Sequence, residues 1–126
     1  MTEVAPSPLD RPTVLVVDDV AAVGSFVVYV LVGGGYDVQL AFDHAGAIAA
    51  ARAGRIDLLL SDVVLEDAFD GLDVGEAVRA IQPNVKVLYM SGRGATRFAS
   101  SIRDALIAKP FTAAELLERV ESALAA

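Results

Sequence analysis

Cysteine is absent from the 126-residue chain. That removes disulfides and thiolate metal sites from consideration and fits a reducing, cytoplasmic setting. Positive charge is scarce, with 10 Lys and Arg against 17 Asp and Glu and a formal net charge of −7. Such a surface repels nucleic acid and anionic lipid, so neither a nucleic-acid partner nor a membrane partner is expected. Histidine occurs once, at His44, which reads as a surface residue with no partner spacing for a metal. A secretory leader is not visible. "MTEVAPSPLDRP" is Pro-rich and carries acidic charge where a leader needs a basic start and an apolar run. Residues 1–12 read as a flexible N-terminal arm and 13–126 as one domain, without internal repeat or linker.

Charge is also missing from the whole of "VAAVGSFVVYVLVGGGY", Val20 to Tyr36. The run includes four glycines and Ser25, and its continuous apolar heart is only Phe26 to Val32. A membrane span needs about 20 predominantly apolar residues. The stretch is better read as a helix closed by the "GGG" stop.

What is present alternates between two kinds of segment. "TVLVV", "YDVQLA", "DLLLS", "VKVLYM" and "ALIA" are short and apolar, as buried strands should be. Between them lie helical patterns. "DHAGAIAAARAGR" has Asp43 as a candidate N-cap and Gly54 near its end. "GLDVGEAVRAIQ" puts Leu72, Val74, Ala77, Val78 and Ile81 along one side, and Pro83 ends it. "TAAE" opens the last helix with a capping box of Thr112 and Glu115, ahead of Leu116, Leu117, Val120 and Leu124. Five strand–helix alternations predict an α/β domain with a parallel sheet and helices on both faces.

In such sheets ligands bind beyond the carboxyl ends of the strands. Those ends carry Asp18 and Asp19, Asp62, Ser91 and Lys109, each after an apolar run. Three converging carboxylates cannot all ionise cheaply without a cation. A small set of hard oxygen ligands suits Mg²⁺, which often bridges to phosphate. An aspartate can also act as nucleophile and form an aspartyl phosphate, with a lysine and a serine hydroxyl stabilising the transferring phosphoryl group.

"VLVVDD", "LLLSD", "YMSG" and "AKPF", in this order and at these separations, resemble the receiver domain of two-component response regulators. The resemblance covers about residues 13 to 124. It implies a doubly wound, flavodoxin-like five-stranded parallel sheet in order 2-1-3-4-5. It further implies that Asp62 is the phosphoacceptor, Ser91 the switch hydroxyl and Lys109 the phosphate-pairing lysine, with Lys109–Pro110 cis. Asp18, Asp19 and Asp62 would hold Mg²⁺ with the backbone carbonyl of Val64. A histidine kinase or histidine phosphotransferase would donate the phosphate, and output would run through contact with a downstream protein. The chain would then be no enzyme beyond its self-catalysed phosphorylation and dephosphorylation. It reads as a stand-alone regulator, the other arrangement being the receiver piece of a hybrid kinase. Two other functions compete: a phosphorylation-independent interaction module of the same fold, and a Mg²⁺-dependent phosphohydrolase. The hydrolase is disfavoured because Val64 stands where an acid/base carboxylate would be needed.

Several positions depart from the family pattern. Leu65 and Glu66 stand where Met-Pro is common, and Glu66 and Asp67 read as part of a solvated loop. Leu106 replaces the usual aromatic readout, and Tyr89 reads as a packed strand tyrosine. "ATRFASSIRD" leaves room for only a short or irregular fourth helix, and Arg93 lies near the presumed water path. On the first helix, Ala22, Val23, Phe26, Val27, Val30 and Leu31 are expected to face the sheet. Ala21, Gly24, Ser25, Val28, Tyr29 and Val32 are expected to face outward. Val28, Tyr29 and Val32 would then form an apolar partner surface for kinase docking or homodimerisation.

Overall fold

The computed structural model describes residues 11–92 and 105–126. The arm (apart from its last two residues), Arg93 and the segment anticipated as a fourth helix lie outside the described residues. Five strands, β1 (Thr13–Val17), β2 (Asp37–Ala41), β3 (Leu58–Asp62), β4 (Lys86–Ser91) and β5 (Leu106–Ala108), form one parallel sheet in the order β2-β1-β3-β4-β5. The described helices are α1 (Ala21–Gly33), α2 (His44–Ala53), α3 (Gly71–Ile81) and α4 (Ala113–Ala125). The doubly wound order is the one the family resemblance implied.

The period-two alternation of the strands splits the core into two layers. Leu15, Val17, Leu59, Val87 and Tyr89 point to the side covered by α2 and α3. Val14, Val16, Leu58, Leu60, Leu88 and Met90 point to the side covered by α1 and α4. Residues 14–17 and 58–60 are wholly shielded from solvent, which explains why these strands read as unbroken apolar runs.

Helix ends follow the local chemistry. Asp43 accepts from the Gly46 N–H at 2.8 Å, and Thr112 and Glu115 form the anticipated reciprocal box. Asp70 and Asp73 form a second such box at the start of α3, a pairing hidden in the sequence because both members are aspartates. Beyond Gly33 the chain turns through Gly35 at φ +95°, a left-handed value that favours glycine.

The rotation of α1 differs from expectation. Gly24, Val27, Val30 and Leu31 are buried, whereas Ala22 is exposed and Phe26 is 44% exposed. Gly24 has no side chain to hold the helix off the sheet, and Leu40 of β2 packs against it. That close approach rolls Gly24 inward and Val28 to a half-buried position, and it turns Phe26 out toward Phe111, with ring centroids 6.5 Å apart. Val28 is half-buried but still lines an apolar surface groove with Tyr29 and Val32, and the exposed Phe26 extends the apolar surface of this helix.

Candidate functional site

Backbone bonds carry the parallel ladder past the strand ends and fix where the polar side chains begin. The Asp18 N–H donates to the Ala41 carbonyl at 3.2 Å, the Val63 N–H to the Met90 carbonyl at 2.9 Å, and the Lys109 N–H to the Ser91 carbonyl at 2.7 Å. These bonds hold Asp18, Asp62, Ser91 and Lys109 at one end of the sheet. Asp18, Asp19 and Asp62 each bring one carboxylate oxygen to within 4.8 Å of the others.

Each carboxylate has its own support. Asp18, completely buried, accepts from the Val20 N–H at 2.9 Å with one oxygen and pairs with the Lys109 ammonium at 3.3 Å with the other. It thereby also satisfies a backbone donor at the entry to α1. Asp62 accepts from the Val64 N–H at 3.3 Å and pairs with the Lys109 ammonium at 3.0 Å. Burial pushes its carboxyl above the usual range, against the hydrogen bond and positive charge of Lys109, and the neighbouring Asp18 pushes the same way as burial. Asp19, the most exposed of the three, accepts from the Glu66 N–H. Among the described residues, Lys109 is thus the cation that sits between two of the three clustered carboxylates.

This donor set fits Mg²⁺: hard oxygens only, few in number, at the carboxyl end of the sheet and, among the described residues, short of positive charge. Ser91 is buried at the end of β4, opposite Ala108 in the ladder and bonded through its carbonyl to Lys109. Val64 is exposed beside Asp62. The Lys109–Pro110 peptide is cis, as the resemblance implied.

Two neighbours of the site were not legible as such. Gly71 opens α3 with its backbone against Asp62, and a Cβ there would collide with the Asp62 carbonyl. Its N–H also donates to the Val63 carbonyl at 2.8 Å. The loop holding Glu66 and Asp67 is tied down as well as solvated. Asp67 accepts from the His44 N–H at 3.0 Å, and this bond draws its carboxyl below the usual range. His44 is half-buried and stacks on Phe69 with centroids 4.0 Å apart, so it is more than a bystander at the surface. Tyr89 is buried with its hydroxyl against Gly75, so it packs as a strand residue.

Comparison with known proteins agrees with the geometry. The response regulator receiver domain model matches residues 14–121. The probable transcriptional regulatory protein TcrX of Mycobacterium tuberculosis is 36% identical over 116 residues, 89% of this chain and 49% of its own length. The nitrogen assimilation regulatory protein NtrX of Azorhizobium caulinodans is 34% identical over 116 residues, covering 88% of this chain and 26% of its own. The chain thus spans half or less of these relatives. A response regulator receiver protein from Sinorhizobium medicae superposes with a TM-score of 0.84 at 32% identity, covering 94% of this chain and 98% of that one.

Proposed function

The chain belongs to the response regulator receiver family, and from that membership we propose that it is a phosphoacceptor switch in two-component signalling with Asp62 as the acceptor. The observation that carries the proposal is the shared Lys109 ammonium, 3.0 Å from Asp62 and 3.3 Å from Asp18, in a pocket of three carboxylates. In the reaction an Asp62 oxygen attacks phosphorus, the P–N bond to a donor histidine breaks, and the bonding pair leaves with the nitrogen. The product is an acyl phosphate on Asp62. Asp18, Asp19 and Asp62, with the Val64 carbonyl, would hold Mg²⁺, which offsets charge on the transferring group. Lys109 moves from pairing with carboxylates to pairing with phosphoryl oxygens. Ser91 donates its hydroxyl to another oxygen and so reports phosphorylation to the end of β4. The phosphate then biases two surface states that already exchange.

The donor is a histidine kinase or phosphotransferase, and it docks on the uncharged face of α1. Phe26, 44% exposed, Tyr29, 80% exposed, and Val32, 56% exposed, line up there. Phe26 and Phe111 border a groove of about 590 Å³ that Lys109 and Pro110 also line, so the apolar face runs up to the phosphoryl pocket. A homodimer through the same face is the competing use. No helix among the described residues is long and apolar enough to cross a membrane. Receiving phosphate from a histidine kinase or phosphotransferase would place the chain in the cytoplasm.

Incubation with Mg²⁺ and a small acyl phosphate tests the switch by intact mass. One added phosphoryl group in the wild type and none in Asp62→Asn supports it. An unlabelled wild type supports the phosphorylation-independent module, and sustained hydrolysis of phosphate esters supports the hydrolase.

A further inference from the structure

The loop between β3 and α3, residues 63–70, grips two other parts of the molecule. Its Glu66 N–H donates to Oδ2 of Asp19. One residue on, Asp67 Oδ2 accepts from the N–H of His44, the first residue of α2, at 3.0 Å. The other oxygen of Asp67 accepts from the Ala68 N–H at 2.7 Å. Phe69 then lies on the His44 imidazole with an interplanar angle of 19°. Residues separated by 23 positions are thereby locked together around the donor that reaches Asp19.

A carboxylate has two oxygens and about four lone-pair directions, so Asp19 can serve an N–H and a cation at once. Asp18 is buried and held by both Val20 and Lys109, and Asp62 by both Val64 and Lys109. Asp19 is the most exposed carboxylate of the cluster, and the loop supplies its hydrogen bond. Hydrogen bonds to ligating carboxylates set their orientation, and losing one typically lowers metal affinity by about 10- to 100-fold.

We propose that residues 66–69 form a clamp in which the Glu66 N–H orients Asp19 toward the divalent cation, while Asp67 and Phe69 hold Glu66 in place by gripping the start of α2. The inference rests on reading the carboxylate cluster as a Mg²⁺ site. Glu66 acts through its backbone and Asp67 through the loop, so both are positioning residues. Release of the loop from α2 therefore weakens cation binding, although Asp67 and Phe69 do not touch the ion.

Titration calorimetry of the full chain with Mg²⁺, alongside thermal melts, tests this. Glu66→Pro deletes the N–H and Glu66→Gln keeps it. Asp67→Ala deletes the acceptor for His44, whereas Asp67→Asn keeps an oxygen that can accept. Glu66→Pro and Asp67→Ala are expected to weaken Mg²⁺ binding by about tenfold, with Glu66→Gln and Asp67→Asn within about twofold of wild type. Wild type that binds Mg²⁺ with unchanged affinity in folded Asp67→Ala overturns the clamp and leaves the switch reading intact. Equal losses in Glu66→Gln and Glu66→Pro also overturn it, because side-chain charge would then be the cause. A wild type that binds no Mg²⁺ overturns the metal reading itself. Should Glu66→Pro not fold, the Asp67 pair decides the matter.

Discussion

Removing the charge of Asp62 should stabilise the protein, although the residue is the proposed centre of its function. Asp62 faces the carboxylates of Asp18 and Asp19 within 4.8 Å. At an effective dielectric of about 20 each of those repulsions is at least about 3.5 kcal/mol, or about 7 kcal/mol together. The Lys109 ammonium at 3.0 Å returns about 5.5 kcal/mol on the same scale. The pairwise charges therefore come close to cancelling, and burial, the largest influence on the Asp62 carboxyl, tips it upward, with Asp18 adding to burial and Lys109 opposing both. Asp62→Asn keeps an oxygen for the Val64 N–H and removes the charge. In chelator at neutral pH it should gain about 1–2 kcal/mol, or about 3–8 °C in Tm for a chain of this length.

The pH dependence has a definite sign. A carboxyl raised by folding makes the native state bind more protons than the unfolded state between the unfolded and folded pKa values. Wild-type stability therefore falls as pH rises through that window above the ordinary aspartate value of 3.8. The advantage of Asp62→Asn is full above the window and vanishes below it, where wild-type Asp62 is neutral. Saturating Mg²⁺ should also shrink it, because the cation offsets the same repulsion. Urea denaturation across pH, with and without Mg²⁺, reads all of this. An Asp62→Asn protein no more stable than wild type at neutral pH in chelator would refute the electrostatic reasoning.

Other perturbations have equally specific outcomes. Lys109→Ala removes the cation beside Asp62 that is proposed to pair with the phosphoryl group, and it should slow labelling by a small phosphodonor about 100-fold, measured by the time course of intact mass. Gly71→Ala drives a Cβ into the Asp62 carbonyl, a backbone obstacle that cannot rotate away. It should cost about 1–3 kcal/mol in urea titration and slow labelling as well, because the displaced atom belongs to the proposed acceptor. Thr112→Ala breaks the capping box of α4 and should cost about 1 kcal/mol without changing the labelling rate. Phe26→Lys with Tyr29→Glu should block transfer from a phosphorylated kinase while leaving small-donor labelling intact, a split that separates docking from chemistry.

The sheet and the site were legible because the same pattern encodes both. Parallel strands covered on two faces demand unbroken apolar runs, so Asp18, Asp62, Ser91 and Lys109 stand out as the polar residues that end them. Helix caps such as Asp43 and Thr112 were readable because their partners lie three residues away. The roll of α1 was not. Its helical face is apolar all round, so periodicity has no contrast, and the phase is set by Gly24 meeting Leu40 across the fold. The clamp on Asp19 escaped for a related reason. Its parts are a backbone N–H and an Asp67–His44 bond spanning 23 positions, and neither leaves a local pattern. Gly71 likewise reads as an ordinary helix start until the Asp62 carbonyl is seen against it.

The central claim is that Asp62 itself carries the phosphate. Borohydride reduces an acyl phosphate on aspartate to homoserine, and peptide mapping locates the converted position. After treatment with Mg²⁺ and a small phosphodonor, the account predicts homoserine at position 62 and unmodified aspartate at 18 and 19. Homoserine at 18 or 19, or none anywhere in a folded protein saturated with Mg²⁺, would contradict it.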